Sequence, residues 1–489
     1  GAAAFQAHAS QAIPGGIRSR SQEEAGLTFW RFGSGNLLLV RTLALAVVLV
    51  IGPVGPVAFA ADESVLIEAP PPRSVEEESG PLDRSFEDLP APEPVFFPRA
   101  KRSLEDLPPV LRDTQLDLEF RTYYFRRRLN DNSDVEALAM GGWVKYRSGW
   151  LAEHLQVGAT LFTSQKLVGP DRRDGTQLLK SRQRSYTVLG ESFVRLRAVG
   201  HELTAYRHRI DLPFLNGNDS RMTPNTFEGF SLVRRHERIG YTFGHLLQMK
   251  RRNDDHFASF SEVAGVPGAS SNGLSFAGFR IKPLKGLSLG AINQYVKDTF
   301  NTVYCEAEWV HQAEQGWGIR TATQFTHQRS VGDDRLTQDS FDTWVWGGKL
   351  AASWKQAMLS VTVSVTDDDQ RIHNPYGSYP GYLAMMQRNF NDANEKAWGL
   401  GASAYFGEIG VPDLSLALRY SEGYDRQRPL TDEHLGDRRE LNATLDYRLR
   451  HGPLRGFWLR ARFGWGHVEG TRRDSFEGRI VLRYDLKLL

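Results

Sequence analysis

The sequence has a single cysteine, Cys305, and no excess of charge of either sign. One thiol allows no intrachain disulfide and no multi-cysteine metal site. The 60 basic and 58 acidic side chains give a formal net charge of +2, which excludes the global basic field typical of nucleic-acid binding. Repeated apolar runs of about 20 residues are also missing, so a polytopic helical membrane protein is excluded.

Only one apolar run is long enough to matter, and it has the parts of a secretory signal peptide. The charge-free core Leu43–Ile51 follows the basic Arg41 and precedes a Gly-Pro pair and the motif Ala58-Phe-Ala60. A basic flank, a short apolar core and an Ala-x-Ala cleavage site are typical of such signals. An uncleaved membrane anchor is the alternative, but the core is too short to span a bilayer. We therefore predict a signal peptide over residues 37–60, with Ala58 and Ala60 marking the cleavage site.

The segments on either side of this signal carry no strand or helix pattern. Residues 1–36 are a leader extension without hydrophobic periodicity, either a long leader or an upstream stretch misassigned as coding. Residues 61–110 contain 10 of the 23 prolines and acidic runs such as Glu76–Glu78. Such a composition buries too little apolar surface to offset the entropy of the chain. We interpret 61–110 as a disordered Pro/acid-rich linker, with partner binding as the alternative.

From residue 111 onward, apolar and polar residues alternate with a period of two, which is the pattern of β-strands. Clear examples of this alternation are Leu116–Arg121, Leu138–Tyr146, Leu359–Thr366, Leu441–Arg448, Phe457–Trp465 and Ile480–Leu488. The polar face is repeatedly charged along strands of about 10 residues, as in membrane barrels. Aromatic residues stand at strand ends, as expected for interfacial girdles: Tyr146, Trp150, Tyr420, Tyr447 and Trp465.

The length of this region sets the expected number of strands. At roughly 20 residues per strand and connection, residues 111–489 hold about 18 strands, and an even number places both ends on the periplasmic side. We predict an all-β fold, a transmembrane antiparallel β-barrel of about 18 strands. A soluble all-β protein is the alternative.

Three interruptions of the strand pattern are longer than hairpin loops of about 2–5 residues. They span residues 163–186, 210–228 and 367–396. A barrel wide enough to conduct needs at least one such loop folded inward to narrow its lumen. The sequence therefore predicts an inward-folded constriction loop.

Five further segments are informative, and the third and fourth of them are long and unusual: Gly142–Gly149, Gly169–Thr176, Leu212–Gly229, Asn374–Leu383 and Phe390–Trp398. Together they resemble the OprD family of substrate-selective outer-membrane porins, over most of residues 111–489 and not over residues 1–110. The resemblance implies a monomeric 18-stranded barrel in the outer membrane of a Gram-negative bacterium. It also implies passive uptake of small, often anionic solutes through an eyelet formed by an inward-folded loop.

The resemblance also implies the position of the eyelet. Asp219, Ser220 and Arg221 resemble the family's constriction-loop motif, which places an acid and a guanidinium at the narrowest point. The alternative is that Asp219 and Arg221 pair with each other and only pin the loop.

A column of lumen-facing arginines is the second expectation. The alternation turns Arg460 and Arg462 inward on one strand and Arg419 inward on another, and the resemblance to the family implies an arginine slide of this kind. Guanidinium matches a carboxylate with a bidentate fork, and conduction needs several weak sites. The alternative is that these arginines brace the wall by pairing with lumen acids such as Asp446 and Glu119.

Three segments look like catalytic or metal-binding motifs, but each lacks a feature that its chemistry requires. Ser288 stands in Gly-x-Ser-x-Gly, but on an alternating strand and not on a strand-to-helix turn. His201-Glu202 lacks the second histidine of a zinc helix. Asp367–Asp369 lacks the ligand spacing of a calcium loop. We therefore predict no catalytic residue, metal or cofactor, and no enzyme.

The predicted function is passive, substrate-selective diffusion of small hydrophilic, carboxylate-bearing solutes across the outer membrane. The expected partners are outer-membrane lipid and small anionic or zwitterionic solutes, without nucleic acid, and the expected state is a monomer. An outer-membrane polysaccharide exporter or a barrel enzyme is the alternative.

Overall fold

The computed structural model describes residues 95–489, apart from 131–132, 236–237, 267–271, 314–315, 338, 408–409, 412, 430–432, 450–451 and 453. The predicted signal peptide with Ala58 and Ala60, the leader extension and the first part of the predicted linker lie outside the described residues.

The described chain is built almost entirely of strands. Short helices are α1 (Pro98–Arg102), α2 (Pro109–Arg112) and α3 (Phe260–Ala264). No helix in the described ranges is long and apolar enough to cross a membrane. The strands are β1 (Gln115–Arg128), β2 (Asp134–Arg147), β3 (Leu155–Val168), β4 (Tyr186–Ala198), β5 (His201–His208), β6 (Asp211–Leu212), β7 (Leu215–Asn216), β8 (Thr226–Arg234), β9 (Ile239–Lys250), β10 (Phe257–Ser259), β11 (Leu274–Leu284), β12 (Leu287–Val296), β13 (Phe300–Gln312), β14 (Trp317–Ser330), β15 (Asp342–Trp354), β16 (Ala357–Thr366), β17 (Lys396–Tyr405), β18 (Leu414–Tyr424), β19 (Arg438–Arg448), β20 (Phe457–Val468) and β21 (Ser475–Lys487).

Eighteen of these strands form one closed antiparallel barrel. Each of them pairs with the next in the chain, and β21 pairs with β1 from Asp117↔Lys487 to Arg128↔Phe476. The remaining strands are short: β6 and β7 form a separate hairpin, and β10 pairs with the end of β9. The prediction of an all-β barrel with about 18 strands is confirmed.

The alternation of side chains separates the two surfaces of the barrel. On β1, Phe120 is 51% exposed on the outside, whereas Glu119 and Arg121 on the inside are 4% and 2% exposed. The same division holds on β20, where Phe463 is exposed and Arg460 is buried. The outer surface is therefore apolar and the lumen polar, as a barrel in a lipid bilayer requires.

The connections differ between the two ends of the barrel. Long connections at one end, called here the long-loop end, include residues 169–185, 209–225, 251–273 and 367–395. Three of them match the predicted interruptions, although β3 continues to Val168, so the first loop begins later than expected. The loop 251–273, which contains β10 and α3, was not predicted.

Two of these loops fold into the lumen and pack against each other. They are called here the constriction loop (209–225) and the inner loop (367–395). Phe214 and Leu215 of the constriction loop belong to one buried apolar cluster with Ile372 and Tyr376 of the inner loop. The side chain of Asn216 also accepts a hydrogen bond of 2.9 Å from the backbone N–H of Ser378. The predicted inward-folded loop is thus one of an interlocked pair.

Residues 95–114, called here the clasp, lie at the opposite end and cross the seam where the barrel closes. The backbone N–H of Phe96 donates to the carbonyl of Lys487 over 2.7 Å, and that of Gly149 donates to the carbonyl of Val110 over 2.9 Å. The clasp therefore links β21 to the turn between β2 and β3. For residues 95–110 this differs from the predicted disordered linker, because the barrel rim supplies hydrogen-bond partners that composition alone does not reveal.

Gly149 allows the clasp to dock, and we expect Gly149→Ala to loosen it. An added Cβ would lie 2.0 Å from the backbone oxygen of Pro109, so α2 would have to move. The expected cost is about 1–3 kcal/mol, measured as a lower thermal unfolding midpoint and faster proteolysis within 95–112. Gly478→Ala on β21 is the control, since its Cβ would meet nothing within 4 Å. Equal behaviour of the two variants would contradict the role of Gly149.

Candidate functional site

The candidate site is a cavity in the lumen between the constriction loop and the wall formed by β1, β20 and β21. It is called here the arginine cavity, because Arg121, Arg221, Arg460, Arg462 and Arg483 all line it. Asp219 is the single carboxylate among the described residues that line it. Arg460 and Arg483 have acidic partners in the wall, Asp446 and Glu119, so the cavity presents more positive than negative groups at the level of the constriction.

The constriction loop reaches this wall through an ion pair between Asp219 and Arg121. The two guanidinium nitrogens of Arg121 lie 2.7 and 3.1 Å from the two carboxylate oxygens of Asp219. Arg121 also donates to the backbone oxygen of Arg221 and, over 2.9 Å, to Glu119 on its own strand. The hydroxyl of Tyr123 donates to the carbonyl of Ser220 over 3.2 Å. β1 therefore fixes the tip of the loop.

Of the predicted eyelet residues, all three lie in the cavity, but Asp219 and Arg221 have different partners. Burial by itself would raise the pKa of Asp219, but the adjacent Arg121 outweighs it, so the pKa lies below its usual value. Asp219 is therefore ionised and held by Arg121. Arg221 instead donates to the carbonyls of Thr176 and Ser220, each over 2.8 Å.

Arg221 and the neighbouring Arg252 are buried positive charges. Burial and the charge of Arg252 lower the pKa of Arg221 well below its usual value. Burial also lowers the pKa of Arg252 to about 10, with a further contribution from Arg479. Arg252 donates to the side-chain oxygens of Asn218 and Ser220 over 2.8 and 2.6 Å. Neither Arg221 nor Arg252 forms an ion pair with a carboxylate in the described ranges, so two positive charges without an acidic ion-pair partner lie at and beside the tip of the constriction loop.

The three predicted ladder arginines do not share one environment. Arg460 and Arg462 both line the arginine cavity, and Arg460 also donates to Asp446 over 2.7 Å. Arg419 lies apart from this cavity and donates to the carbonyls of Ala384 and Tyr382 in the inner loop, over 2.9 and 2.6 Å. Wall bracing is therefore visible for Arg460, and attachment of a loop for Arg419.

Aromatic rings of Trp458 and Trp143 lie against several of these guanidinium groups. Trp458 lies 4.4 Å from the guanidinium of Arg460 and 4.8 Å from that of Arg483. Trp143 lies 4.9 Å from that of Arg121. Stacking on a ring leaves the edge of a guanidinium, where its N–H donors are, directed away from the ring. The rings therefore help to hold these guanidinium groups in place along the wall of the cavity.

Sequence reasoning missed Arg121, Arg483 and Arg252. The alternation does turn Arg121 and Arg483 inward on β1 and β21, where they oppose each other in register, so a fuller use of that signal would have found them. Arg252 follows the end of β9 in a loop, where no periodicity indicates its direction.

Comparisons with known proteins agree with this architecture. A family model described as outer membrane porin, OprD family, matches residues 110–488. Porin D of Pseudomonas aeruginosa is 23% identical over 419 residues, which cover 78% of this chain and 92% of that protein. The crystal structure of Pseudomonas aeruginosa OpdK with vanillate is similar with a TM-score of 0.69 at 23% identity, covering 77% of this chain and 99% of that one. Pseudomonas aeruginosa OccK9 (OpdG) gives a TM-score of 0.71 at 23% identity, covering 78% and 100%.

We expect Arg121→Ala to release the constriction loop. The change leaves Asp219 buried without its cation, whereas Glu119 keeps its ion pair with Arg483, and the expected cost is about 3–5 kcal/mol. Thermal unfolding should show the loss of stability, and single-channel recording should show a larger and noisier conductance. Arg126→Ala on the same strand is the control, because Arg126 lies on the outer surface and its side chain is 51% exposed. A conductance of Arg121→Ala that is as quiet and as large as that of the wild type would contradict the role of Arg121 in holding the constriction loop.

The lowered pKa of Asp219 also predicts how the constriction responds to acid. The ion pair contributes stability above the unfolded aspartate pKa, near 3.8, and loses it only as the pH falls through the lower folded value. Conductance should therefore stay constant between pH about 7 and 5. Loosening should begin only below pH about 4, and Asp219→Asn should remove this acid response. A step in conductance of the wild type near pH 6 would assign the response to another group.

Proposed function

Because the chain belongs to the OprD family of outer membrane porins, we propose that it admits small carboxylate-bearing solutes by passive diffusion. The protein is an outer-membrane, substrate-selective channel for small hydrophilic solutes. The class of solute is the proposed part, and the arginine cavity supports it. Five arginines and one carboxylate line the described walls of that cavity, and three of the arginines, Arg121, Arg460 and Arg483, are also paired with acids.

Carboxylate is the chemistry that these arginines suit. Charge-assisted, bidentate hydrogen bonds favour a planar anion over a cation in the same place. Arg462 and Arg460 are two positions apart on β20, and Arg483 is on the neighbouring β21, so a solute can pass from one guanidinium to the next. Such a series of weak sites lets an anion enter and leave. The crystal structure of the relative OpdK was determined with vanillate, which is a carboxylate.

On this proposal the protein is a channel and not an enzyme or a polysaccharide exporter. The constriction loop and the inner loop both occupy the lumen, and they leave room for a small solute better than for a polymer. We further propose that a monomer is the working unit, because a single barrel contains its own constriction.

Variants of Arg462 and Arg460 test whether these lumen arginines attract anions or only brace the barrel wall. We expect Arg462→Ala to reduce the preference for anions about three- to tenfold. Arg460→Ala leaves Asp446 buried beside Trp458 without its cation, so it should also lower stability by about 3 kcal/mol. The measurements are the reversal potential under a gradient of sodium benzoate and the thermal unfolding midpoint. Arg439→Ala on the outer face of β19 is the control.

An unchanged reversal potential for Arg462→Ala and for the double variant Arg460→Ala/Arg462→Ala would assign these residues to the wall. Failure of any small carboxylate to bind or permeate through the folded wild-type barrel would remove the proposed solute class.

A further inference from the structure

The outer wall carries an apolar groove that the channel function does not use. It extends from β18 across β19, β20 and β21 to β1, and small residues form its floor while larger ones form its sides. The residues that define it are Ala443, Ala461, Gly478, Phe463, Ile480 and Tyr124.

The groove is open to whatever surrounds the barrel. Phe463 and Ile480 are 47% and 49% exposed on its sides, and they oppose the small Gly478 and Ala461 in register. A Cβ added at Gly478 would meet no atom within 4 Å. The floor is therefore backbone and methyl groups.

Two arginines stand directly above the groove on the same outward face. Arg126 and Arg128 follow Tyr124 on β1, and a rise of about 3.3 Å per residue places them roughly 7 and 13 Å nearer the long-loop end. Arg126 is 51% exposed and lies 3.3 Å from Asp134. The guanidinium of Arg128 lies 5.4 Å from the ring of Phe476, which is above Gly478 on β21, and it has no carboxylate partner in the described part of the chain.

We propose that this face binds one phosphorylated glycolipid of the lipid A class, with an acyl chain in the groove and a phosphate on Arg126 and Arg128. The long loops of outer-membrane barrels face the cell exterior, so the arginines reach the outer leaflet, where such glycolipids reside. A guanidinium fork matches a phosphate, and a flexible acyl chain can lie in an open apolar depression.

This inference is independent of the solute that the pore carries, because every residue in it lies on the outer surface. Its test is native mass spectrometry of the full barrel in detergent, titrated with bisphosphorylated lipid A. Dephosphorylated lipid A tests the role of the phosphate, and phosphatidylglycerol tests whether any anionic lipid suffices.

Three variants divide the site into its parts. Gly478→Leu fills the groove, and Arg126→Ala/Arg128→Ala removes the phosphate ligands. Ala291→Leu on β12 is the matched control, a small outward residue on a different part of the wall. Circular dichroism and the heat-dependent gel shift of a folded barrel verify that each variant is folded.

We expect the wild type to hold one bisphosphorylated lipid A at least tenfold more tightly than either comparison lipid. The arginine double variant should lose this preference for phosphate, and Gly478→Leu should weaken binding about tenfold, whereas Ala291→Leu should match the wild type. Equal binding of phosphatidylglycerol would overturn the assignment to a glycolipid. Unchanged binding in both site variants, or an equal loss in the Ala291→Leu control, would overturn the site.

Discussion

The hydrogen bonds between β1 and β21 are the constraint on which the rest of the structure depends. In a bilayer no water satisfies an exposed strand edge, so the sheet must close on itself. The pairing from Asp117↔Lys487 to Arg128↔Phe476 achieves this closure. Once the barrel is closed, the period-two alternation makes each side chain face either the lipid or the lumen, and charged side chains accumulate in the lumen. The seam, the polar lumen and the apolar exterior are therefore consequences of one requirement.

The crowded charge of the lumen is what gives the constriction its form. A buried charge is costly unless it is paired and hydrogen-bonded. Arg121 meets this requirement by binding both Glu119 and Asp219, and in doing so it fixes the loop. Arg438 does the same for the inner loop through Glu395 and Asp392. The arginines that shape the passage are thus also the ones that hold its walls, and bracing and recognition are not exclusive roles.

The sequence predicted what depends on local periodicity and missed what depends on distant partners. The alternation placed Glu119 inside and Phe120 outside correctly, and with the length it led to about 18 strands. It could not show that Asp219 pairs with Arg121, which is 98 residues earlier, because facing the lumen does not specify a neighbour. The position of Arg419 on the carbonyls of Ala384 and Tyr382 is hidden for the same reason. The order in residues 95–110 depends on a rim that only the closed barrel provides.

The seam also has a consequence in time. Its two strands lie at opposite ends of the barrel sequence, so the ribosome makes β1 long before β21 exists. Contacts between residues this far apart are entropically expensive and form slowly. Until β1 pairs with β21, no lipid covers the apolar face of the early strands, and the edge of β1 has no partner strand. Such a chain is exposed to aggregation during export, and closure of the seam is the step that ends this exposure.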